Sequence, residues 1–348
     1  MPKNHTSLIV KSLSSLAISA GLVATAAEAQ EKIVLRVADS FPVSGHWMVD
    51  NATRYWMEAV TKATGGQVTF EYYPSEQLGK AKDMLALTLS GVTDIAYVAP
   101  SFIADNKMPL SAVAELPGTF SGSCQGTLPY FRLARNGILA DKDFAPNGIR
   151  LLWSAVMPPY QVITSKKKFE SLKDLEGLKL RTAGGALDLT ARKLKAVPVR
   201  LATPEIFEAL SRGTIDGMIY SFSSIIPYKR DSLVRYATAD ESLGAIVANY
   251  VISEQRFKKL PANVQKAMLD IGEEATRRVC AALDRDLQKD IEKLRQQGLS
   301  IVQFSAADKK TLQAILLAVQ ADWAEGLDQR GKPGSEVLKA YRAAVAAQ

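Results

Sequence analysis

Between Ala262 and Gln297 apolar residues recur every three or four positions: Val264, Met268, Ile271, Ala275, Val279, Leu283, Leu287, Ile291 and Leu294. That spacing predicts one continuous helix with a single apolar face. About 35 residues at 1.5 Å each make a rod of roughly 50 Å, longer than one small domain is wide. The chain has 348 residues, enough for two domains of the usual ~100–200 residues. A helix of this length is expected to brace both.

The rest of the chain reads as two α/β units. Ile33–Val37, Val68–Tyr73 and Asp94–Val98 are β-branched or aromatic runs, separated by helical segments at about 47–64 and 82–90. The order β-α-β-α-β predicts an open, largely parallel sheet. Strands at 151–155, 160–164, 178–182 and 215–220 alternate with helices at 187–194 and 203–212, the latter opening on a Thr203 cap and Pro204. Further helices are expected at about 306–329 and 335–346. The predicted class is therefore α/β, two lobes each with a mixed sheet flanked by helices. Residues 30–152 and about 245–280 are assigned to the first lobe, and about 153–244 and 281–348 to the second.

The N-terminus is set apart. Lys3 and Lys11 precede a short apolar run from Leu13 to Thr25, and Ala27-Glu28-Ala29 forms a small-x-small site before Gln30. This is the pattern of a secretory signal peptide at 1–29, cleaved near Ala29/Gln30, which implies a periplasmic protein. No other long apolar segment is present. Export permits a disulfide, but the sequence leaves open whether Cys124 and Cys280 meet, since Cys280 also fits a buried helical position.

Open sheets bind ligands outside the carboxyl ends of their strands. This singles out His46 and Trp47 after the first strand, Gln77 after the second and Tyr97 at the end of the third. In the second unit, Gly177-Leu178-Lys179-Leu180-Arg181-Thr182 puts an arginine at a strand end before the small residues Ala183-Gly184-Gly185. A guanidinium there offers two parallel N–H donors and a permanent charge, the chemistry that holds a carboxylate. Tyr220 and Phe222 follow on the last strand, and Trp153 and Tyr160 read as core or hinge residues.

Five motifs, in order, resemble the extracytoplasmic solute-binding proteins of tripartite ATP-independent periplasmic (TRAP) transporters. They are Tyr73-Pro74-Ser75-Glu76-Gln77-Leu78-Gly79, Gly91-Val92-Thr93-Asp94-Ile95-Ala96, Glu115-Leu116-Pro117-Gly118-Thr119-Phe120, Gly177 to Thr182, and Glu205 to Leu210 with Gly213-Thr214-Ile215-Asp216-Gly217. The resemblance implies two lobes that close on a small organic acid, with Arg181 on the ligand carboxylate. The partners it implies are the small and large permease subunits. It also marks two departures: Gln161 stands where many members carry a second arginine, and Tyr220 where many carry an asparagine. These departures favour a monocarboxylate, aromatic or hydroxylated, over a dicarboxylate.

Other functions find less support. The net charge is +7, but the basic residues are interleaved with acids and form no stripe for nucleic acid. The two histidines, His5 and His46, and two cysteines have no metal-ligand spacing, and no nucleophile elbow or phosphate loop is present. The chain is expected to be a monomer, not an enzyme, with no cofactor. A receptor feeding a sensor kinase would look the same in sequence, and a secreted enzyme would need a carboxylate pair that the strand ends do not offer.

Overall fold

The structure, a computed structural model, describes residues 32–103 and 107–348. The expected signal peptide lies outside the described residues.

Eleven strands are present among the described residues: β1 (Ile33–Ala38), β2 (Val68–Tyr73), β3 (Ile95–Val98), β4 (Ile149–Val156), β5 (Gln161–Thr164), β6 (Lys179–Thr182), β7 (Val197–Arg200), β8 (Gly217–Tyr220), β9 (Tyr236–Thr238), β10 (Val247–Ser253) and β11 (Ser300–Val302). They form two sheets, ordered β2-β1-β3-β10-β4 and β11-β9-β5-β8-β6-β7. In the first, β1 lies parallel to β2 and β3, as the β-α-β-α-β order requires, while β10 runs antiparallel between β3 and β4. In the second, β6 is parallel to β7 and β8, and β5 is antiparallel to β8 and β9. Each lobe is thus a mixed sheet. The strand β10 was not foreseen: six of its seven residues are buried, so it carries no alternating pattern. A strand covered on both faces loses that signature.

The helices are α1 (Arg54–Ala63), α2 (Met84–Leu89), α3 (Ser123–Asn136), α4 (Ala186–Lys193), α5 (Ile206–Arg212), α6 (Glu254–Lys258), α7 (Ala262–Gln296), α8 (Ala306–Asp328) and α9 (Gly334–Ala346). None is long and apolar enough to cross a membrane. The apolar stripe of α7 is its buried face, including Val264, Met268, Ala275, Val279, Leu283, Ile291 and Leu294. It packs on α1, α3 and β4 of the first lobe and on the turn Phe222–Ser224 of the second, so it braces both.

Helix α7 sits directly on the β4 backbone. A Cβ added at Gly272 would fall 2.1 Å from the Leu152 carbonyl oxygen. One turn on, the Thr276 hydroxyl accepts the Ser154 N–H at 3.1 Å. In an exposed helix, glycine is about 0.8–1 kcal/mol worse than alanine, so replacement stabilises. Here the sign reverses. Gly272→Ala is expected to lose about 1–3 kcal/mol through overpacking, read as a lower urea midpoint with unchanged slope. A raised midpoint would show that α7 does not seat on β4.

Cys124 and Cys280 form a disulfide, with Cα atoms 4.8 Å apart, joining the start of α3 to α7. One helical turn beyond Cys280, the Asp284 carboxylate accepts the Ser123 and Cys124 N–H groups at 2.6 and 2.9 Å. The long helix therefore caps α3 as well as crosslinking it.

The chain crosses between lobes after Val156, four residues beyond the expected boundary at 152, and again at 243–246. The two crossings are paired: Met157 N–H donates to Ile246 O at 3.0 Å, Tyr160 N–H to Gly244 O at 2.8 Å, and Leu243 N–H to Tyr160 O at 3.1 Å. The C-terminal helices also depart from the expected assignment of 281–348 to the second lobe. Helix α9 packs on α3 of the first lobe, where Tyr341 donates to Gly126 O at 3.0 Å, while α8 reaches α4 of the second. Trp323, Leu327, Val337 and Tyr341 are buried with Tyr130 and Phe131 of α3. Burial of that apolar surface decides their place.

Candidate functional site

Strand β6 exposes Lys179 and buries Leu180, Arg181 and Thr182. Arg181 is wholly buried, 0% exposed. Its Nε donates to Leu201 O at 2.9 Å, which fixes the plane of the guanidinium. Nη1 and Nη2 are buried and have no hydrogen-bond partner among the described residues. Burial pulls the guanidinium pKa down, opposed mainly by the nearby Tyr220 and Tyr160. A buried charge without a counter-charge costs several kcal/mol, and it is the pair of terminal nitrogens that is left free.

A second buried arginine stands close by. Arg230, 1% exposed, donates through Nη1 to the Tyr220 hydroxyl at 2.8 Å and through Nη2 to Thr203 O. The Tyr220 ring lies within cation–π range of both arginines, 5.4 Å from the Arg181 Cζ and 5.2 Å from that of Arg230. Arg181 is therefore not alone, contrary to the sequence reading. Its companion comes from the segment after β8, where Tyr228-Lys229-Arg230-Asp231 reads as an ordinary charged turn. Thr203 is not the cap of its helix either. Ala202 takes that place, its N–H donating to the Glu205 carboxylate at 2.6 Å, and the carbonyl of Thr203 serves Arg230.

Between the lobes is a cavity of about 30 Å³. Phe41, His46, Trp47, Tyr97, Phe102 and Ala248 line it from the first lobe, Thr203, Tyr220, Ser224 and Tyr228 from the second, and Met157, Tyr160 and Ile246 from the crossings. Such a volume holds about two waters, so an organic acid enters only when the lobes part. Asp39 anchors the loop that carries Phe41 and His46. Its carboxylate accepts Tyr250 OH at 2.6 Å, Tyr72 OH at 2.8 Å and Phe41 N–H at 3.0 Å, and burial pushes its pKa up to about 6.

The lobes touch where Arg181 leads into glycine. Gly184 and Gly185 have φ of +99° and +56°, and added Cβ atoms would lie 3.3 Å from Ser101 O and 3.2 Å from Ser101 Oγ. Ser101 belongs to the first lobe, and its hydroxyl donates to the Glu115 carboxylate. Glu115 is fully buried, its pKa pushed up to about 8 by burial. It also accepts the Val247 N–H of β10 at 3.3 Å, and Gly118 N–H donates to Ser242 O at 2.8 Å. The Glu115–Phe120 motif thus ties the contact between lobes to the second crossing.

Of the residues singled out from sequence, Tyr97, His46, Trp47 and Tyr220 line the cavity, with Arg181 beside Tyr220. The others lie elsewhere. Gln161 pairs in register with Tyr220, but its amide donates to Glu241 O at 2.6 Å and accepts from the Thr238 hydroxyl at 2.7 Å. Phe222 is buried in the turn that meets α7. Gln77 is exposed in the turn after β2, its N–H on Pro74 O at 3.2 Å. Trp153 packs between Trp56 and Tyr250, whereas Tyr160 serves both hinge and cavity wall. Phe41, Phe102, Tyr228 and Arg230 were missed. Phe41 and Phe102 carried a signal, Phe41 in the same strand-end loop as His46 and Phe102 in the segment that follows Tyr97.

Residues 43–326 match the family described as bacterial extracellular solute-binding protein, family 7. A solute-binding protein of Verminephrobacter eiseniae is 25% identical over 317 residues, covering 90% of each chain. Among solved structures, a TRAP solute-binding protein from Rhodoferax ferrireducens, in complex with copurified benzoate, superposes with a TM-score of 0.82 at 23% identity, covering 91% of this chain and 98% of its own. A TRAP periplasmic solute-binding protein from Bordetella bronchiseptica with bound (R)- and (S)-mandelate gives 0.81 at 23% identity, covering 90% and 99%.

Proposed function

The chain belongs to the bacterial extracellular solute-binding proteins of family 7, which are transport receptors and not enzymes, and from that premise we propose that it captures a small aromatic monocarboxylate between its lobes and delivers it to a TRAP permease. The observation that carries this reading is the pair of buried Arg181 nitrogens, Nη1 and Nη2, without a partner among the described residues. Two parallel donors on a fixed guanidinium fit the two oxygens of one carboxylate. Tyr97, Tyr160, Tyr220 and Phe41 around the cavity supply ring faces and edges for an aromatic body. That two proteins of the same fold hold benzoate and mandelate supports the same ligand class.

Arg230 does not convert the site into one for dicarboxylates. Both of its terminal nitrogens are engaged, by Tyr220 and Thr203, and only its buried Nε lacks a partner among the described residues, so it orders the cavity wall and keeps one donor, not a second fork. The paired crossings at 157–160 and 243–246 act as the hinge, and the Ser101 contact with Gly184 and Gly185 forms only when the lobes meet. Binding then shifts an open–closed equilibrium toward the form the permease reads.

A thermal-shift screen of the purified protein tests this. Benzoate, mandelate and their relatives are expected to raise the midpoint, since ligand at 100 times its Kd stabilises by about 2.7 kcal/mol. A larger shift with succinate than with any monocarboxylate would overturn the reading.

A further inference from the structure

We propose that the ligand carries, besides its carboxylate, an uncharged oxygen such as a hydroxyl or keto group, and that His46 and Trp47 select for it. This rests on the aromatic-acid reading above and narrows it. His46 is 1% exposed. Its Nδ1 accepts the Met48 N–H at 3.3 Å, so the ring proton sits on Nε2. Burial holds the imidazole neutral, with its pKa near 3. Nε2–H is thus a donor on a cavity-lining side chain, buried and without a partner among the described residues.

The neighbouring residue repeats the arrangement. Trp47 lines the same cavity, its ring centroid 4.7 Å from that of His46, and its buried Nε1–H is also unpartnered. Indole nitrogen is a donor only. Tyr228, edge-on to His46 at 5.5 Å, adds a third buried unpartnered group, a hydroxyl. Two side chains of the first-lobe wall therefore carry neutral N–H donors without an acceptor among the described residues. Leaving such a donor buried without an acceptor costs about 1–3 kcal/mol. Phe41 stacks on His46 at 4.4 Å with an interplanar angle of 18°, and Asp39 fixes the Phe41 backbone, so the imidazole is held in place. The donors are neutral, so a hydroxyl or keto oxygen suits them. A second carboxylate would be buried here with its charge uncompensated.

Calorimetric titration of matched acids tests the proposal: benzoate against 3- and 4-hydroxybenzoate, and phenylacetate against mandelate and phenylglyoxylate. At least one oxygenated acid is expected to bind the wild-type protein about tenfold or more tightly than its parent, the equivalent of one good hydrogen bond. Trp47→Phe and His46→Phe keep an aromatic ring and remove the donor. Each is expected to collapse that ratio to about threefold or less, the parent acid reporting any general damage to the cavity. Should His46→Phe fail to fold, Trp47→Phe carries the test. Equal wild-type affinity for parent and oxygenated acids, or a ratio that survives the substitutions, overturns this proposal and leaves the Arg181 reading standing. Failure of every aromatic acid to bind overturns both.

Discussion

Replacing Arg181 by alanine is expected to weaken aromatic-acid binding by about 30-fold to several thousand-fold. Removing one member of a buried, hydrogen-bonded charge pair costs about 2–5 kcal/mol, at about 1.4 kcal/mol per tenfold in affinity. Arg181→Lys is expected to recover little of the loss, because an ammonium is a point charge without the planar fork. The unliganded protein should respond in the opposite sense. It buries an uncompensated guanidinium, so Arg181→Met, which fills similar volume without charge, is expected to match or exceed the wild-type thermal midpoint while losing affinity. Calorimetry and thermal unfolding on the same preparations separate the two effects. Unchanged affinity in Arg181→Ala would show that Arg181 is not the carboxylate clamp.

The disulfide carries the second large effect. Cys124 and Cys280 are 156 positions apart, so the crosslink closes a long loop in the unfolded chain. Its removal in the Cys124→Ser, Cys280→Ser double variant is expected to cost about 2–4 kcal/mol, or roughly 3–6 °C in a protein of this size. The Asp284 carboxylate still caps α3 in that variant, so the variant is expected to fold and only its midpoint to fall. An unchanged midpoint, with the disulfide shown to be intact in the wild type, would contradict the crosslink's role in holding α3 on α7.

The fold was legible wherever one periodic pattern decided it. The 3.6-residue stripe of α7 and the hydrophobic runs of β1, β2 and β3 needed no tertiary information. The strand β10 and the placement of α9 did need it, because β10 is buried on both faces and the apolar stripe of α9 names no partner. The site divided in the same way. Arg181 was legible because a strand end, a turn glycine and small residues surround it. Gln161 was misleading, since register with Tyr220 says nothing about where an amide turns, and the Thr238 hydroxyl and Glu241 carbonyl satisfy it inside the second lobe. Arg230 was hidden in a charged turn. Only the packing of Tyr220 and the Thr203 carbonyl reveals that its guanidinium is buried.

A crystal structure of the protein with the aromatic acid that gives the largest thermal shift decides whether Arg181 holds the ligand carboxylate. Both carboxylate oxygens are expected about 2.7–2.9 Å from Arg181 Nη1 and Nη2, with the ring between Tyr97, Tyr160 and Tyr220 and the Ser101 contact to Gly184 and Gly185 intact. A carboxylate seated elsewhere, for instance on Arg230, with the Arg181 nitrogens still unpartnered, would contradict that role.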